Sequence, residues 1–221
     1  MNQILETSSK NAKIKKYVII LTISIISILV LFCIIISDII NNNHQKELSK
    51  SIGNNYKIYK LFAEKNDNNI LLKDYDFYGN IIIPKININY PFFYGFSDEL
   101  LKISPCRFYG KIPLPKSHVI FDTDKNNDLN SSDGNLCILG HNYNDDRFFG
   151  KLKDINIKDK IIIEDLNNNL FYYTVFDKFE VSEDVAYSSA INRNYDYELT
   201  LVTCTNYNNK RLIIKAKKES S

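Results

Sequence analysis

The chain has 221 residues, of which 44% are hydrophobic, 24% charged and 13% aromatic, with a formal net charge of +2. This composition excludes a disordered, collagen-like or low-complexity chain, and the length suits one domain plus an appendage. The basic excess lies in residues 1–16, which carry four lysines against one glutamate, so the folded part lacks the basic surface expected of a nucleic-acid binder.

The first predicted element is a membrane-spanning helix. Residues Tyr17 to Ser37 contain no charge, glycine or proline. At about 1.5 Å per residue such a helix is roughly 31 Å long, which matches the hydrocarbon core of a bilayer. A buried core helix is seldom apolar on every face, and the apolar run of a cleaved signal peptide is usually about 7–15 residues, so an uncleaved anchor is favoured. Lysines on the N-terminal flank predict a cytoplasmic tail and an exported domain.

The rest of the chain divides into a stalk and a β-rich domain. A helical pattern around Glu47 to Glu64 predicts one or two short helices in the stalk. Short runs of Ile, Val, Tyr and Phe after residue 79 predict many strands that close into a barrel or sandwich. The predicted strands are Ile81–Ile83, Ile86–Tyr90, Val119–Phe121, Leu136–Leu139, Lys160–Glu164, Phe171–Asp177, Leu199–Thr203 and Arg211–Ala216. The predicted parts are a cytoplasmic tail (1–16), an anchor (17–40), a stalk (41–75) and a folded domain (76–218).

An acidic insertion follows the third predicted strand. Its alternating oxygen side chains, among them Asp122, Asp124 and Asp128, could chelate Ca²⁺. An EF-hand loop, however, needs glycine at its sixth position and a long bidentate acid at its twelfth, where this chain has Asn127 and Asp133. A solvated surface loop is therefore the alternative interpretation.

Four cysteines limit the redox and metal chemistry of the chain. Cys33 lies in the predicted anchor, which leaves Cys106, Cys137 and Cys204 in the exported part. An odd number leaves at least one free thiol, while Cys106 and Cys137 could form a disulfide or remain two buried thiols. With no CxxC pair and three histidines in the whole chain, the sequence predicts no structural metal site.

Three side chains of the folded domain could together perform acyl transfer. His141 stands in LCILGHNY, Cys204 ends TLVTC, and Arg211 follows that cysteine by seven residues. Each lies at an end of a predicted strand, where a rigid scaffold presents side chains to a cleft. A catalytic cysteine needs a base or cationic neighbour, and His141 can fill that role and then protonate a leaving amine. The guanidinium of Arg211 can hold a carbonyl or a developing oxyanion.

A purely structural role for these residues is the alternative. A cysteine in a strand is usually a small apolar residue, and an arginine that begins a strand usually lies on the surface. Chain order excludes papain-like peptidases, in which the cysteine precedes the histidine. A transpeptidase with an S-H-G-C signature would need His and Gly where this chain has Val202 and Thr203, and no G-x-S-x-G elbow occurs.

The same segments resemble the sortases, membrane-anchored cysteine transpeptidases of Gram-positive bacteria. TLVTC at residues 200–204 matches the family's TLxTC strand, and LGHN at residues 139–142 matches its catalytic histidine segment. Arg211 opens the next strand, as the family's arginine does. Residues 79–95 and 148–165 also look like the family's first strands and the region after its histidine. Several ordered matches are far more specific than any one motif.

The resemblance implies a closed eight-stranded sortase-type β-barrel with short helices behind the transmembrane anchor. It implies that Cys204 attacks the Thr–Gly bond of a C-terminal LPXTG-like sorting signal, with His141 as general acid and base and Arg211 as the binder of carbonyl and oxyanion. An amine of a peptidoglycan precursor or a pilin would then release the thioester and receive the surface protein, without a cofactor. Leu201 and Thr203, close to the cysteine on its strand, are candidates to line the substrate groove, with alternation turning one set of side chains inward.

The subclass and two other functions stay open at this point. The short segment between residues 179 and 199 leaves little room for the long helix of class B sortases, and residues 41–78 carry no Asp-Pro-aromatic lid motif of pilin sortases. A class D-like or class A-like enzyme is favoured, with class B still open. The other functions are a catalytically inactive membrane-anchored binding module and a cysteine peptidase that only hydrolyses. In each case we expect a single-pass protein of the cell membrane with a cytoplasmic N-terminus and an extracellular domain.

Overall fold

The computed structural model of the protein describes residues 2–64, 76–110, 134–192, 194–195, 198–205 and 209–219, with the side chains of the first helix described over residues 15–57. The chain forms two compact units, Met1–Glu47 and Leu48–Ser221. The predicted strand Val119–Phe121 and the candidate calcium ligands Asp122, Asp124 and Asp128 lie outside the described residues.

The first element is a long helix, α1, which spans Asn2–Glu64. No glycine or proline occurs before Gly53, so nothing in the sequence interrupts the helix between the predicted anchor and the predicted stalk. The prediction of one or two short helices around Glu47 to Glu64 was therefore wrong, because this segment continues α1. Its apolar side chains between Tyr17 and Ile40 are exposed. Within the described ranges this is the one helix long and apolar enough to cross a membrane, which supports the predicted anchor.

Eight strands form a closed barrel, which confirms the expected fold. Around the barrel the strands follow the order β1-β2-β3-β4-β7-β8-β6-β5. Neighbouring strands are antiparallel except β2 with β3 and β4 with β7, which run parallel. The strands are β1 Phe77–Ile83, β2 Ile88–Phe93, β3 Cys106–Tyr109, β4 Asn135–Leu139, β5 Lys160–Asp165, β6 Leu170–Ser182, β7 Glu198–Cys204 and β8 Lys210–Lys218.

Alternation along β7 and β8 separates the barrel interior from its outer face. Leu199 and Leu201 of β7, with Leu212 and Ile214 of β8, lie in the interior core. The intervening residues face outward, where the short helix α3, Glu183–Ile191, covers them. The outer apolar cluster is formed by Cys137, Ala190, Val202 and Ile213. The barrel thus buries apolar side chains on both faces of β4, β7 and β8.

A third apolar cluster joins the end of α1 to the barrel. Ile52 and Tyr56 are buried against Phe77 and Phe93, and the rings of Tyr56 and Phe77 lie 5.3 Å apart. Leu101 of the second helix, α2 (Asp98–Leu101), belongs to the same cluster. The segment 48–57 is therefore part of the core of the second unit, and the barrel folds against it.

Replacing Ile52 with alanine is expected to lower the free energy of unfolding by about 3 kcal/mol, because the change removes a fully buried side chain and leaves a cavity. Urea unfolding of the full chain in detergent micelles, followed by near-UV circular dichroism, measures this loss. Lys57→Ala is the matched control, since Lys57 is exposed on the same helix. Equal stabilities for the two variants would show that the segment does not pack against the barrel.

Several elements differ from the strand prediction: β1 begins at Phe77 and not at Ile81, and β2 spans Ile88–Phe93 where Ile86–Tyr90 was predicted. Strand β3, Cys106–Tyr109, was not predicted because it has four residues and stands between Pro105 and Gly110. Strand β6 continues to Ser182, well beyond the predicted Asp177, because β8 pairs with it as far as Lys210. Helix α3 was not predicted because it buries only Ala190 fully, and a helix with one buried residue has little apolar periodicity.

Candidate active site

The parallel pairing of β4 with β7 brings His141 and Cys204 to one edge of the barrel. The register places Leu139 opposite Val202. His141 and Cys204 each stand two residues further along the chain, so they occupy equivalent positions where the two strands end. Neither the LGHN segment nor the TLVTC segment alone predicts that His141 and Cys204 lie close together, because more than fifty residues separate the two strands in the chain.

Three hydrogen bonds hold the histidine segment against the cysteine strand. The Gly140 amide donates to the Val202 carbonyl at 3.1 Å, and the Thr203 hydroxyl donates to the Gly140 carbonyl at 2.7 Å. The Asn142 side-chain amide donates to the Cys204 carbonyl at 2.9 Å. These bonds lie on both sides of His141 in the sequence and therefore fix its backbone relative to Cys204.

A close packing contact explains the glycine before His141. A Cβ atom added to Gly140 would lie 2.6 Å from the ring of Phe149, which is fully buried. The Phe149 amide in turn donates to the His141 carbonyl at 3.1 Å. The turn formed by residues 140–149 is therefore tightly packed, and this packing fixes the backbone position of His141.

Arg211 lies beside Cys204 on the adjacent strand. The two residues are direct partners in the antiparallel β7–β8 register, so their Cα atoms are about 4.5–5.5 Å apart and their side chains leave the same face. The Thr205 amide donates to the Lys210 carbonyl at 3.0 Å and supports the turn between them. Glu183 is the first residue of α3, and its carboxylate accepts a hydrogen bond from the Arg211 guanidinium at 2.6 Å.

The candidate site opens onto the outer face of the barrel beside the outer apolar cluster. Cys204 is exposed and shares this face with Val202, two residues earlier on β7. A row of three aromatic rings crosses the same region, with Phe96 and Phe108 at 5.6 Å and Phe108 and Tyr187 of α3 at 5.8 Å. An extended peptide lying across this face would meet apolar side chains next to the thiol.

Leu201 and Thr203 are placed on the opposite side of the strand from Cys204. Leu201 is fully buried in the barrel interior. Thr203 is 4% exposed, and its hydroxyl holds the Gly140 carbonyl. Their role as substrate-lining residues stays a prediction. The hydrogen bond from Thr203 to Gly140 gives Thr203 a structural role, because it aligns the His141 segment with the Cys204 strand.

The His141 imidazole is half-buried and lies against a stack of side chains. Its ring centroid is 5.3 Å from that of Tyr143, and the Arg147 guanidinium lies 4.1 Å from the Tyr143 ring. Burial lowers the pKa of His141 below its ordinary value, since it disfavours the charged imidazolium; Asp98 raises the pKa and Lys102 lowers it. Burial therefore favours the neutral imidazole, which can accept a proton.

The other two cysteines of the barrel are unreactive because they are buried. Cys106 and Cys137 are both fully buried and free, so the open question of a disulfide is resolved in favour of two separate thiols. Burial raises the pKa of each thiol to about 12. Cys204 is the exposed thiol of the barrel, and the thiolate is the nucleophilic form of cysteine.

No cluster of three or more His, Cys, Asp or Glu side chains that could hold a metal ion occurs in the ranges the structure describes. The candidate site brings together a thiol, an imidazole and a guanidinium. Together they can form and resolve an acyl thioester.

Two residues of the site were missed in the sequence. Asn142 bonds the Cys204 carbonyl, and its position directly after His141 was the available signal. Glu183 pairs with Arg211 from α3, a helix that was not predicted, so nothing in the sequence pattern pointed to it.

Comparisons with known proteins agree with this fold. Residues 81–219 match the family model described as a Sortase domain. No curated protein matches the chain. The solved structures similar to this chain include a sortase D5 transpeptidase from Clostridium perfringens, at 23% identity and a TM-score of 0.52, covering 80% of this chain and 98% of that one.

Two further structures belong to other sortase classes. Sortase A from Corynebacterium diphtheriae is 22% identical, with a TM-score of 0.52, over 66% of this chain and 62% of that chain. Sortase C1 from Streptococcus suis is 20% identical, with a TM-score of 0.53, over 68% of this chain and 77% of that chain. The protein therefore spans less than two thirds of the sortase A structure, and similarity at these identities shows the fold alone.

Proposed function

The chain belongs to the sortase family, and we propose that it is a cysteine transpeptidase that cleaves LPXTG-like sorting signals and transfers the surface protein to an amine. The observation that carries this proposal is the placement of Cys204, His141 and Arg211 at neighbouring strand ends of one barrel edge. The accessibility of Cys204 and the burial of the other barrel thiols support the choice of nucleophile.

Acylation begins with the Cys204 sulfur attacking the threonine carbonyl carbon of the Thr–Gly bond. His141 takes the thiol proton, and Arg211 donates hydrogen bonds to the oxygen on which negative charge develops. The C–N bond then breaks as His141 returns the proton to the departing glycine amine. The products are a thioester on Cys204 and the released C-terminal segment.

The thioester is resolved by an incoming amine of a peptidoglycan precursor or a pilin. The amine nitrogen attacks the thioester carbonyl, His141 accepts its proton, and collapse of the intermediate forms an amide and releases the Cys204 sulfur. The proton returns from His141 to that sulfur. Each cycle therefore exchanges one amide bond for another, and no oxidant, metal or cofactor is consumed.

The long apolar helix supports a membrane location for this reaction. We propose a cytoplasmic tail over residues 1–16, an anchor over 17–40, a stalk over 41–75 and an extracellular catalytic domain over 76–218. The lysines before Tyr17 favour this orientation. A sorting signal held at the same membrane would then meet the catalytic domain on the outer side.

The proposal is tested by incubating the full chain, in detergent micelles, with a set of LPXTG-like peptides. Intact mass spectrometry should detect an acyl adduct on Cys204, and addition of an amine such as triglycine should convert the adduct to a ligated peptide. Adduct that turns over only to the free acid would identify a peptidase that hydrolyses. Absence of any adduct from folded protein with a free Cys204 would favour an inactive binding module.

A further inference from the structure

Helix α3 is attached to the outer face of β8 at both of its ends, by two contacts of different kinds. Arg211 and Lys215 leave the same face of β8, four residues apart, and each reaches one end of the helix. Arg211 holds the amino end through Glu183, and Lys215 holds the carboxyl end through backbone carbonyls. The helix therefore lies along the strand that carries the candidate oxyanion binder.

The carboxyl end of α3 is held by buried polar groups. The Lys215 ammonium donates to the Ala190 carbonyl at 2.8 Å and also to the Asn192 carbonyl. The Asn135 side chain donates to the same Ala190 carbonyl at 2.9 Å, and the Glu198 carboxylate lies 3.8 Å from the ammonium. The Lys215 side chain is 4% exposed, so breaking this attachment would leave charged groups buried without partners.

The amino end of α3 is held by an exposed ion pair. Glu183 is 61% exposed and Arg211 is 23% exposed, and the hydrogen bond between them is 2.6 Å long. Exposed ion pairs contribute little to stability because water and salt compete for both partners. The side-chain contact between Glu183 and Arg211 can therefore open at small cost, while the β6–β8 ladder, which reaches Ser182, keeps the start of the helix in place.

The Glu183–Arg211 ion pair uses the same guanidinium that the proposed mechanism requires. Glu183 occupies a donor of Arg211 with a carboxylate, which binds a guanidinium more strongly than a neutral carbonyl does. Glu183 begins α3 directly after β6, which pairs with β8 on the side away from β7 and Cys204. A peptide carbonyl at Cys204 and the Glu183 carboxylate therefore approach Arg211 from different neighbouring strands.

We propose that Glu183 competes with the substrate for Arg211, so that the Glu183–Arg211 pair is a resting contact that must open when a peptide is captured. This inference rests on the proposed function, since it concerns regulation of the same site. The buried Lys215 attachment and the β6–β8 ladder keep α3 on the barrel while the Glu183 side chain is released from Arg211. Sorting-signal binding and the opening of this ion pair are then one coupled step.

The contact is tested without a peptide by the rates at which iodoacetate and iodoacetamide alkylate Cys204 in the full chain, followed by peptide mapping. The two reagents lose the same iodide, so the ratio of their rates reports the positive charge available to the anionic reagent at the thiol. Glu183→Gln should raise this ratio about two- to fivefold at low ionic strength. The increase should shrink in high salt and should disappear when Arg211→Gln is added.

Glu180→Gln is the matched control, because it removes the same charge from β6 while Glu180 pairs with Lys210 instead, at 4.0 Å. A ratio for Glu183→Gln no larger than that of Glu180→Gln would overturn the proposal. In peptide acylation, Glu183→Gln should raise kcat/KM by a similar factor, and a decrease would overturn the competition by showing that Glu183 orients Arg211 productively. If the wild-type chain captures no peptide, the proposed function fails. The ratio of the two alkylation rates still shows whether Glu183 occupies Arg211 in the resting protein.

Discussion

Replacement of Cys204 with alanine is expected to abolish covalent capture of a sorting-signal peptide. The reason is that Cys204 is the exposed thiol at the barrel edge, and no other described barrel cysteine can reach solvent. Without the sulfur no thioester forms, so the intact mass of the protein should not change with any peptide that acylates the wild type. The measurement is mass spectrometry after incubation of the full chain in detergent.

Cys106→Ala and Cys137→Ala are the controls for this result. Each removes a buried sulfur from an apolar cluster and leaves Cys204 and His141 untouched, so both variants should retain most of the acylation rate. A loss at Cys106 or Cys137 equal to that at Cys204, in a variant with a native unfolding transition, would show that the wrong thiol has been assigned.

Replacement of His141 with alanine is expected to lower kcat/KM for acylation by about 10²–10⁴-fold, the range for loss of a positioned general acid and base. His44→Ala, in an exposed position on α1, should have no such effect. Single-turnover acylation measured by rapid quench gives the rate directly. Retention of more than a tenth of the wild-type rate would remove His141 from the proposed mechanism.

The pH dependence of the wild type supplies a second readout for His141. Burial lowers the pKa of the imidazole, so the proton-accepting neutral form persists to a pH below the ordinary titration range of histidine. The acylation rate should therefore fall as pH decreases through this lowered pKa, and this acid limb should be absent in His141→Ala. An acid limb that the substitution leaves in place would belong to another group.

Much of the site could be predicted because its residues stand in short local segments. LGHN and TLVTC each combine a buried strand with a polar residue at its end, and Arg211 begins the next strand. The closed eight-stranded barrel came from the resemblance to the family, because alternating Ile, Val and Leu runs predict strands but not which strands are neighbours.

What could not be predicted depends on contacts between distant parts of the chain. The parallel β4–β7 register, which places Asn142 against the Cys204 carbonyl, is a tertiary property. Helix α3 was missed because polar groups such as Lys215 hold it and Ala190 is its one fully buried residue, so its sequence has little apolar periodicity. The burial of segment 48–57 could not be predicted either, because Ile52 and Tyr56 pack against residues of β1 and β2.

The separation of the cysteines determines how the barrel responds to oxidants. Cys204 can be oxidised to a sulfenic acid or capped by an external thiol, because it is exposed. Cys106 and Cys137 are enclosed in two different apolar clusters and cannot attack the oxidised sulfur to form an internal disulfide. Recovery of an oxidised barrel therefore depends on a reductant from its surroundings, and within the barrel the damage stays confined to the one exposed thiol, without an internal crosslink.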